Sequence, residues 1–464
     1  MNFKSQKTTY FRISVIQMLL ASVLVFSMTK DQIFSNHVLF SFANLMSYML
    51  CIVSWCKMGG RPFSMYVFFV AYAYLCNAGQ SLLYSLGMSD LIMYTYMHES
   101  VADITKMLRF QYLCVSALNL GVCTYLYNHR IPSIDDMKEC YNNYSVRPKS
   151  YDRLLDILMF ISLLSIAYTC FNMFIMRQTL DYMDYFQAGR GEDNAFIGGL
   201  IDLLSIILPT RCLFMHKHVK VVYAFYAFFI FMFMIVGSRG MAIRYIALTL
   251  ICLPMTNPEL FKKQYIAFWL GGIVVGFAFM GVISVSRASA LSVSSFDVSG
   301  SFGDSFFKTL DDMGNSERPA VLGMTATESG MGHKQTILYT IVCGFIPFTS
   351  SIPYFQDQYI YLGDYLTDMV GSFSGLGSSY IGECFLNYGW YGWIFMLVYG
   401  FFAAAAETTA YKKIINGETL IALLLLAILS RQVAFGRSEF MRLAPLFRWS
   451  EIIIIISLFF KRTR

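Results

Sequence analysis

Charge is what this chain has least of. Only 14% of its 464 residues are Asp, Glu, Lys or Arg, where a soluble chain of this size carries about 25%. Hydrophobic residues supply 56%, and mean hydropathy is +0.53. Long uncharged runs recur, each near the roughly 20 residues that cross a hydrocarbon core as a helix. The composition excludes an ordinary soluble fold and predicts an all-α, polytopic membrane protein.

Other absences narrow the chemistry. None of the 11 cysteines forms a CxxC pair, and most lie inside apolar runs (Cys51, Cys76, Cys114, Cys170, Cys252, Cys343). Neither a disulfide framework nor a zinc site is suggested. The six histidines are scattered, and His216 and His218 flank Lys217 at a helix end, where an interfacial role outweighs metal binding. There is no GxxxxGK[ST], no GxSxG and no HExxH. No Asp-x-Asp pair occurs either, so a carboxylate-held metal gripping a diphosphate is unsupported. No metal and no cofactor are expected. The net charge of +6 is spread over short loops rather than one basic stripe, which argues against a nucleic-acid partner. No internal repeat is visible.

What is present is a succession of apolar segments. Lys4, Lys7 and Arg12 before the first resemble a signal peptide, but no small-residue cleavage site follows Ser27, so the segment is read as a retained span. Spans are expected near 11–28, 37–55, 63–86, 108–127, 154–176, 195–214, 219–237, 240–255 and 264–284, and then near 384–406, 419–435 and 444–460. Basic residues in short loops set orientation. Those at the N-terminus, 57–61, 129–153, 211–220, 262–263, 412–413 and the C-terminal KRTR alternate as cytoplasmic loops. Both termini are therefore expected in the cytoplasm. The chain reads as a single membrane domain, with nine spans over 1–284, an outer loop over 285–382 and three spans over 383–464. Within the loop, 337–352 is apolar but short, and Pro347 lies inside it with Pro353 just beyond. It reads as a re-entrant or surface-lying helix.

The polar residues gather at predicted outer helix ends. Arg239, Arg244, Arg287, Arg437 and Arg442 all fall there, with Arg239 in the tight GSRG turn at 237–240. Each alone could snorkel to the interface. A topology rule would place surplus arginine inside, so the set points instead to a bound anion, which guanidinium forks hold bidentately. The other singular stretch is GLGSSYIGECFLNYGWYGW, residues 375–393, where flexible backbone, Glu383 and Asn387 precede an aromatic span. Glu383 could serve as a general base if its surroundings bring its pKa toward neutrality, or it could cap the following helix. Tyrosines in the outer loops offer stacking faces for sugars, although interfacial belts use tyrosine in the same way.

These motifs and their order resemble the Wzy-type oligosaccharide repeat-unit polymerases, or O-antigen polymerases. The likeness lies in GSRG at 237–240, in Arg287 at the start of the large loop and in DMGNS at 312–316. It continues in GLGSSYIGECFLNYGWYG at 375–392 and Gly436-Arg437-Ser438, and covers roughly 154–460. Asp312 departs from the glutamate more usual there. The resemblance implies a GT-C-like membrane glycosyltransferase of the bacterial inner membrane. Its substrate would be undecaprenyl-diphosphate-linked oligosaccharide, joined at the periplasmic face into O-antigen, capsule or exopolysaccharide. Membrane lipids, a chain-length regulator and a flippase are the implied partners. On this reading Arg239, Arg287 and Arg437 hold the diphosphate, with Arg244 and Arg442 nearby. Glu383 takes the acceptor proton, ahead of Asp312 or Glu328, while Ser379 and Asn387 position sugar hydroxyls. The rivals are an O-antigen ligase, and a transporter of lipid-linked sugars. Transporters place polar residues near the midplane, whereas here they sit at one face. Asp202 and Arg211 in span six are the exceptions and are expected to pair.

Overall fold

The structure is a computed structural model that describes residues 3–27, 36–88, 91, 93–132, 149–179, 204–215, 218–236, 239–257, 302–331, 336–339, 362–371, 376–416 and 418–440. Every regular element among them is helical. The α-helices are α1 (Phe3–Ser27), α2 (His37–Lys57), α3 (Met65–Ser85), α4 (Tyr94–His98), α5 (Val101–Asn128), α6 (Lys149–Thr179), α7 (Leu204–Pro209), α8 (Val219–Val236) and α9 (Arg239–Thr256). They continue with α10 (Phe302–Gly314), α11 (Glu317–Ala326), α12 (Leu362–Met369), α13 (Tyr380–Tyr388), α14 (Gly392–Ile415) and α15 (Thr419–Phe435). Lys4–Ser27, His37–Lys57 and Tyr380–Ile415 are long and apolar enough to cross a membrane, and shorter apolar helices lie within α6, α8, α9 and α15. The expected spans at 264–284 and 444–460 lie outside the described residues, as does the apolar segment 337–352 beyond residue 339.

The chain folds as two compact units. The first comprises Met1–Ile131, Leu310–Thr408 and Arg431–Arg464. In it α5 packs against both α1 and α2. Its apolar side chains turn outward: Ile16, Leu19, Leu20, Val23 and Phe26 of α1 are exposed, as a lipid-facing surface requires. Polar side chains turn inward and find one another. Gln17 Nε2 donates to Ser47 Oγ at 2.5 Å, and Asn119 Nδ2 donates to Gln17 Oε1 at 2.7 Å. Lys7, which reads as a topology charge in the sequence, is buried and reaches the carbonyls of Leu126 and His129, both at 2.5 Å. It thus satisfies orphan acceptors at the C-terminal end of α5. Glu407 of α14 does the converse for a helix start: its oxygens accept the amides of Met65 (3.1 Å) and Tyr66 (3.0 Å) at the beginning of α3. Backbone meets backbone where α14 crosses α5: a Cβ at Gly121 would lie 2.0 Å from the Leu397 carbonyl oxygen, and one at Gly400 would lie 2.3 Å from that of Leu118. Small residues permit such close crossings in membranes.

The second unit comprises Pro132–Thr309 and Thr409–Ser430. Pro209 ends α7, and a π-helical turn, Thr210–Met215, follows. Proline removes an amide and crowds the preceding turn, so the helix phase changes there. Arg211 is buried and bonds to Asp156 of α6, whereas Asp202 lies outside the described residues.

One expected boundary also moves. The span read at 384–406 is divided: α13 stops at Tyr388, a 3-10 turn covers Gly389–Tyr391, and the long helix begins only at Gly392. Gly389 has φ +55°, which a residue with a side chain adopts reluctantly. Glu383 and Asn387 therefore stand on a short helix of their own.

Candidate functional site

Three of the sequence motifs meet in the first unit on one face of α3. Asn77, Gln80 and Ser81 are buried polar residues three and four apart within an apolar helix. Asn77 Nδ2 donates to the Gly436 carbonyl at 2.7 Å, while its Oδ1 accepts from Ser379 Oγ at 2.6 Å. Gln80 Nε2 reaches Asp311 Oδ1 (2.6 Å) and Asn315 Oδ1 (2.7 Å), and its Oε1 accepts the Thr95 amide at 3.1 Å. Ser81 donates to Glu317 through its amide (3.0 Å) and meets it again through its hydroxyl (2.7 Å). Gly314 makes this docking possible, because a Cβ there would lie 2.6 Å from the Gln80 backbone nitrogen. A single helix face thus holds the 311–317 turn, the start of α13 and the 436–438 connection.

Arg437 and Asp312 are brought together in this frame. Both are half-buried, and their charges interact. Tyr72 of α3 supplies a hydrogen-bond partner for the guanidinium. Burial draws the Arg437 pKa down, but Tyr72, Cys76 and Asp312 more than reverse this, and it stands above the ordinary arginine value. A guanidinium that stays charged while partly desolvated is suited to holding an anion.

Glu383 lies deeper. It is 1% exposed, and both its oxygens are engaged: Oε1 accepts from Thr336 Oγ1 and Oε2 from the Phe440 amide, each at 2.7 Å. It does not cap its own helix. That role belongs to Ser379, whose Oγ accepts the Ile381 amide at 3.3 Å. Asn387 completes the arrangement, with Nδ2 donating to Thr336 Oγ1 at 2.8 Å and Oδ1 accepting the Ile337 amide at 3.3 Å. A second carboxylate, Glu439, is 2% exposed, interacts electrostatically with Glu383 and accepts the Gly363 amide at 3.3 Å. Beneath them α13 crosses α11 at glycines, a Cβ at Gly323 lying 2.9 Å from Gly382 Cα. Leu322, Ala326, Leu362, Leu366 and Leu386 form the apolar core there.

The remaining candidates lie elsewhere. Arg244 belongs to the second unit, where it is buried, donates from Nε to Ser430 Oγ at 3.1 Å and lies over the Tyr245 ring. Arg239 opens α9 in the same unit. Arg287 and Arg442 lie outside the described residues. Glu328 pairs with Lys106. Among the described residues no three His, Cys, Asp or Glu side chains gather as a metal site. Sequence reasoning misses Asn77, Gln80, Ser81 and Glu439. The three on α3 do carry a signal, since amide and hydroxyl side chains at helical spacing inside a span require buried partners.

Compared with known proteins, the chain matches the family described as O-antigen polysaccharide polymerase Wzy over residues 10–464. No curated protein and no solved structure matches it.

Proposed function

The chain belongs to the O-antigen polysaccharide polymerase Wzy family, and from that premise we propose that its first unit carries the site of glycosyl transfer between undecaprenyl-diphosphate-linked repeat units. The acceptor hydroxyl oxygen forms a bond to the donor's anomeric carbon as the bond from that carbon to the diphosphate oxygen breaks. The diphosphate leaves as an anion, and Arg437 stabilises the charge growing on it. Arg442 is proposed as a further contact to the same anion. The acceptor proton passes to a carboxylate. Glu383 is the first candidate, because the Thr336 hydroxyl at 2.7 Å occupies the place an acceptor hydroxyl would take. Asp312, half-buried beside Arg437, is the second. Ser379 and Asn387 are assigned to the walls of the acceptor site. We further propose a GT-C-like arrangement of twelve spans, with both termini cytoplasmic and this chemistry on the periplasmic side.

The observation that carries the proposal is the convergence of the 311–317, 379–387 and 436–440 segments on one face of α3, with a charged, half-buried arginine among them. The test is purified protein incubated with lipid-linked repeat unit. Wild type lengthens the glycan, and Arg437→Met does not while remaining folded. A fully active Arg437→Met sinks the site. Glu383→Gln and Asp312→Asn then separate the two carboxylates: the base is the one whose amide variant loses turnover without losing fold.

A further inference from the structure

Arg109, on α5, is a buried cation with little to balance it. The residue is 5% exposed, and among the described residues its guanidinium makes one hydrogen bond, from Nη2 to the Val25 carbonyl in the last turn of α1. Its Nε is buried and has no hydrogen-bond partner there. Among the described residues no carboxylate pairs with it, whereas Arg211 has Asp156, and Arg318 has Glu99 and the Tyr94 hydroxyl at 2.8 Å. The negative end of α1 offsets about half a charge. The rings of Phe40 and Trp390, 5.9 and 6.0 Å from the guanidinium carbon, offset part of the rest. A guanidinium cannot shed its proton to escape burial, so its desolvation penalty persists until an anion meets it.

The surroundings indicate how that anion arrives. Val25 lies in the last turn of α1, Phe40 in the first turn of α2 and Trp390 in the 3-10 turn before α14, so three helix ends meet at Arg109. Beside them Val23, Phe26 and Leu39 are exposed apolar side chains, and Phe26 meets Trp390 edge-on at 6.3 Å. Phe110 and Phe385 also pack edge-on against Trp390, at 5.8 and 5.5 Å. The aromatic contacts of Arg109 therefore lead to α13, the helix of Glu383 and Asn387. A free anion would have to cross apolar surface to reach this guanidinium, whereas one carried on lipid chains already sits at the level where tryptophan anchors. We propose that Arg109 binds the phosphate of a membrane lipid at this junction, with Nε–H among the donors, as guanidinium forks hold phosphate. A bilayer phospholipid and a polyprenyl-diphosphate-linked substrate present the same anion, and the experiment separates them.

Delipidated full-length protein in detergent tests this without turnover. The probes are phosphatidylglycerol, undecaprenyl diphosphate, inorganic phosphate, and a diacylglycerol with the same chains as the first. Wild type should melt at a higher temperature with one or both phosphate-bearing lipids than with diacylglycerol, because a ligand of the folded state stabilises it by mass action. Equal melting with phosphate-bearing and neutral lipid, or stabilisation by inorganic phosphate alone, overturns the proposal. Titrations read by native mass spectrometry then assign the site. Arg109→Met should weaken retention of the phosphate-bearing lipid about tenfold or more, with diacylglycerol unaffected. Arg109→Lys, which keeps the charge and loses the fork, should fall between, and it stands in for the Met variant if that one does not fold. A folded variant that retains the lipid as wild type does also overturns the proposal. Loss confined to phosphatidylglycerol identifies a bilayer lipid, loss confined to undecaprenyl diphosphate identifies the substrate, and loss of both identifies a shared site. The substrate case rests on the function proposed above, and there Arg109→Met should also raise KM for lipid-linked repeat unit. Wild-type protein that binds lipid in this way but never polymerises sinks that function and leaves the site standing.

Discussion

Arg437 and Arg244 look alike in the sequence, each an arginine at an end of an apolar helix, and the structure separates them. Arg244 is buried in the second unit, bonded to Ser430 and covered by Tyr245. Arg437 is half-buried in the first unit, beside Tyr72 and Asp312, on a connection pinned by Asn77 and Glu383. An arginine's task follows from what its neighbours leave open. A guanidinium whose surroundings are packed shut contributes to structure, while one held charged with a face toward solvent can receive an anion.

The largest effect expected from testing this contrast is at Arg437 itself. Arg437→Lys keeps the charge but loses the fork, and should lower turnover on the order of 100-fold. Its unfolding temperature should stay near wild type, and steady-state rates with lipid-linked repeat unit check this. Next is the frame beneath it. Gly382→Val forces a side chain against the Pro319 carbonyl, which would lie 2.8 Å from its Cβ, and should destabilise by about 3 kcal/mol. Denaturation in detergent measures that. Ser379→Ala removes the cap of α13 and the donor to Asn77 together, for about 1.5 kcal/mol, with turnover lowered less than by Arg437→Lys. The smallest effect is at Arg244. Arg244→Met exchanges a buried charge for an apolar chain of similar reach, and Ser430 keeps its bond to Ala427. Stability should move by about 1 kcal/mol or less. An Arg244→Met protein that is folded but inactive would erase the contrast between the two arginines.

Much of the candidate site is legible in the sequence. Glu383, Asn387 and Ser379 stand out because polar residues are costly at a membrane boundary, and they do lie together with Phe440 and Thr336. Their partners are not legible. Gln80 meets Asp311 across 231 residues of sequence, and Tyr48 meets Tyr380 across 332. Nothing local in a hydropathy profile connects such positions. Glu317 shows the same: its neighbour in the sequence, Arg318, bonds Glu99, while Glu317 itself meets Ser81. Lys7 reads as a topology charge although its ammonium caps α5.

Composition alone dictates the class of molecule. A charge content of 14% among long apolar runs leaves helices as the way to satisfy the backbone in lipid, and the glycines at 382 and 314 mark where chains approach. What each polar residue does is a matter of packing. Lipid rewards no particular pairing of buried polar groups, so each is satisfied by whatever the packing of distant helices brings within about 3 Å. That is why one face of α3 selects Gly436, Ser379, Asp311 and Glu317 as its partners, and why Glu383 faces Thr336 and Phe440 rather than the amides of its own helix.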